Sequence, residues 1–173
     1  NKLINDILSL SEIELERTNG NKDFKTFNLN KTIEKAISCI NLQNTNIYFL
    51  PQCNTDIYAN EDLLITAIIN LLNNAIKYSE SEKIDVILEQ GNNQIVISVK
   101  DYGIGIEEKH LDNLFKRFYR VDKARSRKTG GTGLGLAIVK HIAQLHKGNV
   151  VIESEVGKGS TFKIILPQEI PAD

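Results

Sequence analysis

Residues 64–78 read Leu64-Ile-Thr-Ala-Ile-Ile-Asn70-Leu-Leu-Asn-Asn74-Ala-Ile-Lys77-Tyr78. At about 100° per residue, Leu64, Ile65, Ile68, Ile69, Leu71, Leu72, Ala75 and Ile76 fill one broad side of a helical wheel. The pattern predicts a helix over 61–78 that packs on a sheet. Asn70, Asn74 and Lys77 fall together on the other side, flanked by Asn73 and Tyr78. A solvated helix face ordinarily carries Glu, Lys and Gln, because Asn is a poor helix former. Two readings follow. Either the face is merely polar in an Asn-rich chain, or it is a metal–phosphate site. In the second, the amide oxygens of Asn70 and Asn74 are weak neutral ligands for Mg²⁺, which keeps several waters and is held by few protein oxygens plus substrate phosphates. Lys77, one turn beyond Asn74, reaches a phosphate as a point charge.

Outward from this helix the punctuation is regular. Residues 1–17 have a helical period with a narrow apolar seam of Leu3, Ile7 and Leu10, joined by Glu14, with Ile4 and Leu8 beside it, and stop at Thr18-Asn19-Gly20-Asn21. Two readings follow: a helix packed on its own domain, or half of a helical hairpin or dimerisation bundle. Phe27–Leu29 reads as a short strand and 30–42 as a helix with Ile33, Ala36, Ile37 and Ile40 on one face. Ile47–Leu50 is a strand stopped by Pro51, with Ile57–Ala59 as its expected hairpin partner. Ile84–Glu89 and Gln94–Lys100 alternate as paired strands around Gly91-Asn92-Asn93. A short helix is expected at 107–114, a loop at 116–132 and a helix at 133–146. Asn149–Glu155 and Thr161–Leu166 are two further strands around Gly157-Lys-Gly159. Hairpin strands with helices between them predict an α+β fold: a mixed or antiparallel sheet covered on one face by helices.

Two glycine-rich loops stand apart. Asp101-Tyr-Gly103-Ile-Gly105-Ile106 follows a strand directly but has Glu108 where a dinucleotide fingerprint needs glycine. Gly130-Gly131-Thr132-Gly133-Leu134-Gly135-Leu136 opens a helix and matches neither that fingerprint nor a Walker loop. Its bare backbone N–H groups at a helix start suit an anion. Tight turns are the alternative for each. Between them lie Lys116, Arg117, Arg120, Lys123, Arg125, Arg127 and Lys128 against Asp122, a net +6 in a chain of net −1. A polyphosphate explains a basic run that leads into a glycine loop. A nucleic acid is the competing partner, disfavoured by the neutral total.

Composition bounds the rest. In 173 residues, 41% hydrophobic, one domain and an appendage fit, with a real core. Cys39 and Cys53 are too few for a disulfide framework and lack metal spacing, and His110, His141 and His146 do not complete a zinc site. A reducing, cytoplasmic setting is expected. Nothing resembles a signal peptide or a membrane span. The chain opens on Asn1 and has no methionine, so it is expected to be a piece of a longer protein.

Taken in order, these segments resemble the ATP-binding catalytic domain of bacterial sensor histidine kinases. Asn70-Leu-Leu-Asn-Asn74-Ala-Ile-Lys77-Tyr78-Ser79 resembles the family's N box and Asp101-Tyr-Gly103-Ile-Gly105-Ile106 its first glycine box. Leu114-Phe115-Lys-Arg-Phe118-Tyr119-Arg120 resembles the F box, and Gly131-Thr132-Gly133-Leu134-Gly135-Leu136 the second glycine box. Gly157–Phe162 and Leu166-Pro167 resemble the closing strands. The resemblance covers roughly residues 25–167. It implies a Bergerat-type two-layer α/β sandwich, with a mixed sheet of about five strands and three helices on one face. It implies ATP and Mg²⁺ as ligands, with Asp101 accepting from the adenine amine and Gly103, Gly105 and Ile106 beside the base. Asn74, helped by Asn70, would hold Mg²⁺. Lys77 and Arg120 would contact phosphates and Tyr78 would lie near the nucleotide. Gly131, Thr132, Gly133, Leu134, Gly135 and Leu136 would form the phosphate loop, and 119–130 a mobile lid. Residues 1–20 would be the end of the second helix of a dimerisation hairpin with its linker, and 21–173 the catalytic domain. The implied partners are that dimerisation domain, mostly outside this chain, and a response regulator. The implied parent is a homodimeric sensor in the cell membrane, of which this piece is a cytoplasmic part, with a monomer expected of the piece on its own.

One departure is large. The family's acceptor histidine sits in a His-Glu/Asp-x-Arg-Thr-Pro box, and none of His110, His141 and His146 has that context. Related gyrase-like ATPases and serine kinases place a Glu four residues before the Mg²⁺ asparagine, where Asn70 stands here. An amide cannot take a proton, so the residue argues against hydrolysis and for transfer to a nucleophile activated elsewhere. A non-catalytic docking module for a response regulator is the remaining alternative.

Overall fold

The computed structural model describes residues 2–19, 23–41, 45–78, 82–122 and 131–169. In chain order the elements are α1 (Lys2–Asn19), β1 (Lys25–Asn28), α2 (Leu29–Ser38), β2 (Asn46–Pro51), β3 (Asp56–Ala59), α3 (Glu61–Tyr78), β4 (Lys83–Gly91), β5 (Gln94–Asp101), α4 (Glu108–Leu111), α5 (Gly135–Leu145), β6 (Asn149–Glu155) and β7 (Gly159–Pro167). Among the described residues the main sheet has five strands in the order β2-β4-β5-β7-β6. Its one parallel pair is β2 with β4; every other neighbour is antiparallel. The expected mixed sheet is therefore present.

The core follows from two periods. Alternation along β4, β5 and β7 turns Ile84, Val86 and Leu88, Ile95, Ile97 and Val99, and Phe162, Ile164 and Leu166 to one face. Helix period turns Leu64, Ala67, Ile68, Leu71, Leu72 and Ala75 of α3 against them. Ala137, Ile138, Val139, Ile142 and Ala143 of α5 and Leu29, Ile33 and Ala36 of α2 complete the layer. Burying each Leu or Ile stabilises by roughly 1.5–3 kcal/mol. The opposite face of the sheet carries no helix among the described residues.

Three expectations need correction. Ile57–Ala59 does not pair with Ile47–Leu50. β3 pairs antiparallel with β1, Phe27 opposite Ile57, in a separate two-stranded sheet. The cause is a set of contacts distant in sequence: Asn30 at the start of α2 donates to the Cys53 carbonyl and accepts from Thr55 N–H, and Leu29 N–H bonds the Thr55 carbonyl. These bonds carry the chain away from β2, which instead crosses over through α3 to lie beside β4. Pro51 closes β2 from inside the strand, opposite Leu88; an edge strand tolerates its missing N–H. The helix expected over 107–114 is only the single turn of α4. The seam of α1 also differs. Leu10 and Ile13 are the buried apolar residues of α1, packed toward α5, while Leu3, Ile4, Ile7, Leu8 and Leu15 stay exposed. The β4–β5 hairpin closes as expected, with Asn92 (φ 53°) and Asn93 (φ 58°) as its two left-handed residues.

Candidate functional site

β5 delivers Asp101 at its end on the same side as Ile95, Ile97 and Val99. The carboxyl is 4% exposed. Its Oδ1 accepts from Gly103 N–H at 3.0 Å and Ser160 N–H at 3.3 Å. Burial pushes its pKa above the usual carboxylate range, and those two N–H bonds pull it partly back. With Oδ1 committed, Oδ2 is the oxygen left for a ligand's donor.

The turn after Asp101 is held by the β6–β7 connection. Ile106 N–H donates to Ser154 Oγ at 2.8 Å, Ser154 Oγ–H bonds the Gly159 carbonyl, and Gly157 N–H bonds the Ile104 carbonyl. Two glycines are required by close approach. A Cβ on Gly105 (φ 70°) would strike the Glu155 carbonyl, and one on Gly159 (φ 101°) the Asp101 carbonyl. Ser154, Gly159 and Ser160 were not singled out for the site from sequence, because their role exists only through strand pairing. A cleft of about 320 Å³ beside Asp101, lined also by Lys100 and Lys158, shares no residue with α3 or the second glycine loop. It is therefore not the space between those elements.

The second glycine loop lies against the asparagine face of α3. A Cβ on Gly131 would meet the Tyr78 hydroxyl, with Lys77 Nζ 3.6 Å away, and one on Gly135 would lie 2.9 Å from Asn70 Oδ1. Asn70 Nδ2 donates back to the Thr66 carbonyl at 2.9 Å, which leaves its Oδ1 toward the loop. Asn70, Lys77 and Tyr78 are thus brought to Gly131 and Gly135. Asn74 and Arg120 are half-buried. Gly133 (φ 75°) packs on the backbone of Phe118, whose N–H bonds the Gly133 carbonyl at 2.8 Å. Phe118 itself has φ 63° and is 61% exposed.

Three residues of this loop are already engaged by the fold. The Thr132 hydroxyl donates to Asp6 on α1 and accepts from Leu134 N–H. The Leu134 side chain is fully buried in the core, and Leu136 packs at its margin. What these residues could offer an anion is main-chain N–H groups. From the other end of α1, Glu14 pairs with Arg117 at 2.9 Å, and Arg117 lies 3.4 Å from His141 Nε2. Of the basic run, 123–128 lies outside the described residues, as do Gly130 and most of the expected lid. Among the described residues there is no group of three or more His, Cys, Asp or Glu placed to hold a metal ion.

A buried carboxylate acceptor at one strand end and a bare glycine backbone set against an Asn/Lys helix face suit a base and its phosphates respectively. The class so defined is a nucleotide-binding α/β sandwich. Residues 59–170 match the family described as "Histidine kinase-, DNA gyrase B-, and HSP90-like ATPase", and the chain belongs to that family of ATP-binding domains. It is 40% identical over 164 residues to the sensor-like histidine kinase SenX3 of Mycolicibacterium smegmatis, covering 90% of this chain and 43% of that protein. It is 40% identical over 163 residues to the phosphate regulon sensor protein PhoR of Haemophilus influenzae, covering 92% and 38%. Among solved structures, the catalytic domain of histidine kinase ThkA superposes with a TM-score of 0.72 at 26% identity, over 84% of this chain and 96% of that one. The chain thus spans about two fifths of the length of these two curated relatives. It is homologous to the catalytic domains of sensor histidine kinases.

Proposed function

We propose that this chain binds Mg²⁺–ATP and presents the γ-phosphate to a histidine on a dimerisation hairpin outside the sequence, for onward transfer to a response-regulator aspartate. The observation that carries this reading is Asn70. It stands one turn before Asn74, its amide oxygen faces the glycine loop, and it supplies no base there. Asp101 accepts from the adenine amine, with Gly103, Gly105 and Ile106 beside the base. Lys77, Tyr78 and Arg120 lie along the phosphates, and Gly131, Gly133 and Gly135 offer backbone to them. Neutral amides suit Mg²⁺ that arrives on the triphosphate, with Asn74 and Asn70 as its protein oxygens.

Residues 1–20 are the end of the hairpin's second helix with its linker. The exposed stripe of Leu3, Ile4, Ile7, Leu8 and Leu15 supports this, because it gives α1 a second apolar face to bury in a bundle. The parent is a homodimeric membrane sensor whose cytoplasmic part includes this domain. No helix among the described residues is long and apolar enough to cross a membrane.

The test is calorimetry of the chain with a non-hydrolysable Mg²⁺–ATP analogue, followed by labelling with radioactive ATP. Saturable binding without self-labelling is expected. A hairpin bearing the acceptor box, fused or in trans, should restore labelling. Failure to bind nucleotide would revive the docking-module reading. Acid-labile phosphate on His110, His141 or His146 would refute the missing-acceptor reading.

A further inference from the structure

The sheet face opposite the helices carries a cluster that the nucleotide reading does not use. Asp85 on β4 points there, in register between Tyr48 of β2 and Lys100 of β5. It is 4% exposed. Its Oδ2 accepts from the Tyr102 hydroxyl at 2.5 Å and lies 3.3 Å from Lys83 Nζ. Lys83 and Lys100 set their ammonium groups 5.0 and 4.9 Å from the centre of the Tyr102 ring, within cation–π range. Asp85 Oδ1 is buried without a hydrogen-bond partner. A half-satisfied buried carboxylate destabilises a strand that an apolar residue would suit. The other oxygen, Oδ2, is held by the Tyr102 hydroxyl and Lys83.

Tyr102 is the residue between Asp101 and Gly103. Consecutive side chains therefore grip the sheet from opposite faces: Asp101 on the helix side, Tyr102 on the open side. The Gly103 N–H that fixes Asp101 Oδ1 belongs to the peptide immediately after Tyr102. Freedom at the Tyr102 ring becomes freedom of that peptide, and then of the carboxylate. We propose that Asp85 is a positioning residue for adenine recognition, holding Tyr102 from the open face and thereby fixing the orientation in which Asp101 meets the base. The inference rests on the reading of Asp101 as the adenine acceptor.

The test compares affinities of the chain for Mg²⁺ complexes of non-hydrolysable ATP and ITP analogues. Hypoxanthine carries a carbonyl where adenine carries the amine, and a protonated N1 where adenine has an acceptor, so the ratio of the two affinities reads the base edge that Asp101 would contact. The unaltered chain should prefer adenine. Tyr102→Phe, at a side chain 43% exposed, and Asp85→Leu should each lower that preference roughly two- to tenfold, the range of one hydrogen bond. Asp85→Asn keeps an acceptor oxygen and should retain the preference. The double variant Asp85→Leu/Tyr102→Phe should be no worse than the worse single one. Equal weakening of both analogues would show a role in stability alone and overturn the proposal, as would an unchanged preference in both single variants. No adenine preference in the unaltered chain would overturn the reading of Asp101 itself, and this inference with it.

Discussion

His146 is fully buried, and its partners fix it as the neutral imidazole. Nδ1–H donates to the Ile142 carbonyl at 2.7 Å, Nε2 accepts from Asn60 N–H at 3.1 Å, and the ring stacks on Phe24 at 4.8 Å. Burial outweighs the carbonyl bond and lowers its pKa to about 4. Above pH 6.5 both folded and unfolded chains carry a neutral ring, so this residue adds no pH dependence. As pH falls from 6.5 toward 4, the unfolded chain takes up a proton that the fold refuses, and stability is lost at about 1.4 kcal/mol per unit. Urea unfolding should show about 2 kcal/mol lost from this residue between pH 7 and 5. An NMR titration of His146 with a midpoint near 6.5 would contradict it. Asp101 is also buried, and its proposed role is to accept from the adenine amine. Asp101→Ala should keep the fold and weaken nucleotide binding by about five- to more than a hundredfold, the effect of leaving a donor unpaired at about 1–3 kcal/mol. Unchanged affinity by calorimetry would remove it from the site.

At the scale of elements, α1 is a helix with two apolar faces. Asp6, Leu10 and Ile13 recur at helical spacing and bury toward α5 and the second glycine loop, with Glu14 reaching Arg117 one step further round. The Glu14–Arg117 pair is largely exposed and contributes little by itself. The apolar contact decides docking. Ile13→Asp should remove roughly 1.5–3 kcal/mol of burial and release α1 from α5. Hydrogen exchange should then speed up at α1 amides and at Thr132 while α3 stays protected. Equal protection in the variant and the unaltered chain would mean that α1 is held by something other than this seam.

For the molecule as a whole, slow hydrolysis follows from what is missing one turn before Asn74. A positioned base typically contributes 10²–10⁴-fold to a rate, and the Asn70 amide has no useful basicity. Asp101 would not substitute, because its proposed contact with the adenine amine places it at the base end of the nucleotide. The chain should bind Mg²⁺–ATP and release phosphate far more slowly than about 1 s⁻¹, the lower end of the ordinary enzyme range. Asn70→Ala should weaken Mg²⁺-dependent binding rather than abolish a turnover. Steady-state phosphate release near 1 s⁻¹ or faster would put a base in the site and favour the hydrolase reading.

The sequence by itself determined the local elements, because their signals are short-range. The period of 61–78 marks α3, Asn92-Asn93 marks the hairpin, and the order of the Asn, glycine and Phe motifs marks the family. Tertiary structure alone decided the pairings. β3 goes to β1 because Asn30 ties the Cys53–Thr55 segment, a contact across more than twenty residues that no local pattern records. Asp101 is recognisable from its motif, but Ser154, Gly159 and Ser160 become its supports only when β7 pairs with β5. The face that α1 buries is likewise set by the shape of α5, not by the strongest seam in α1's own sequence. Asp85 looks like any polar residue in an alternating strand; only the fold of Tyr102 over it shows that it is buried and what it holds.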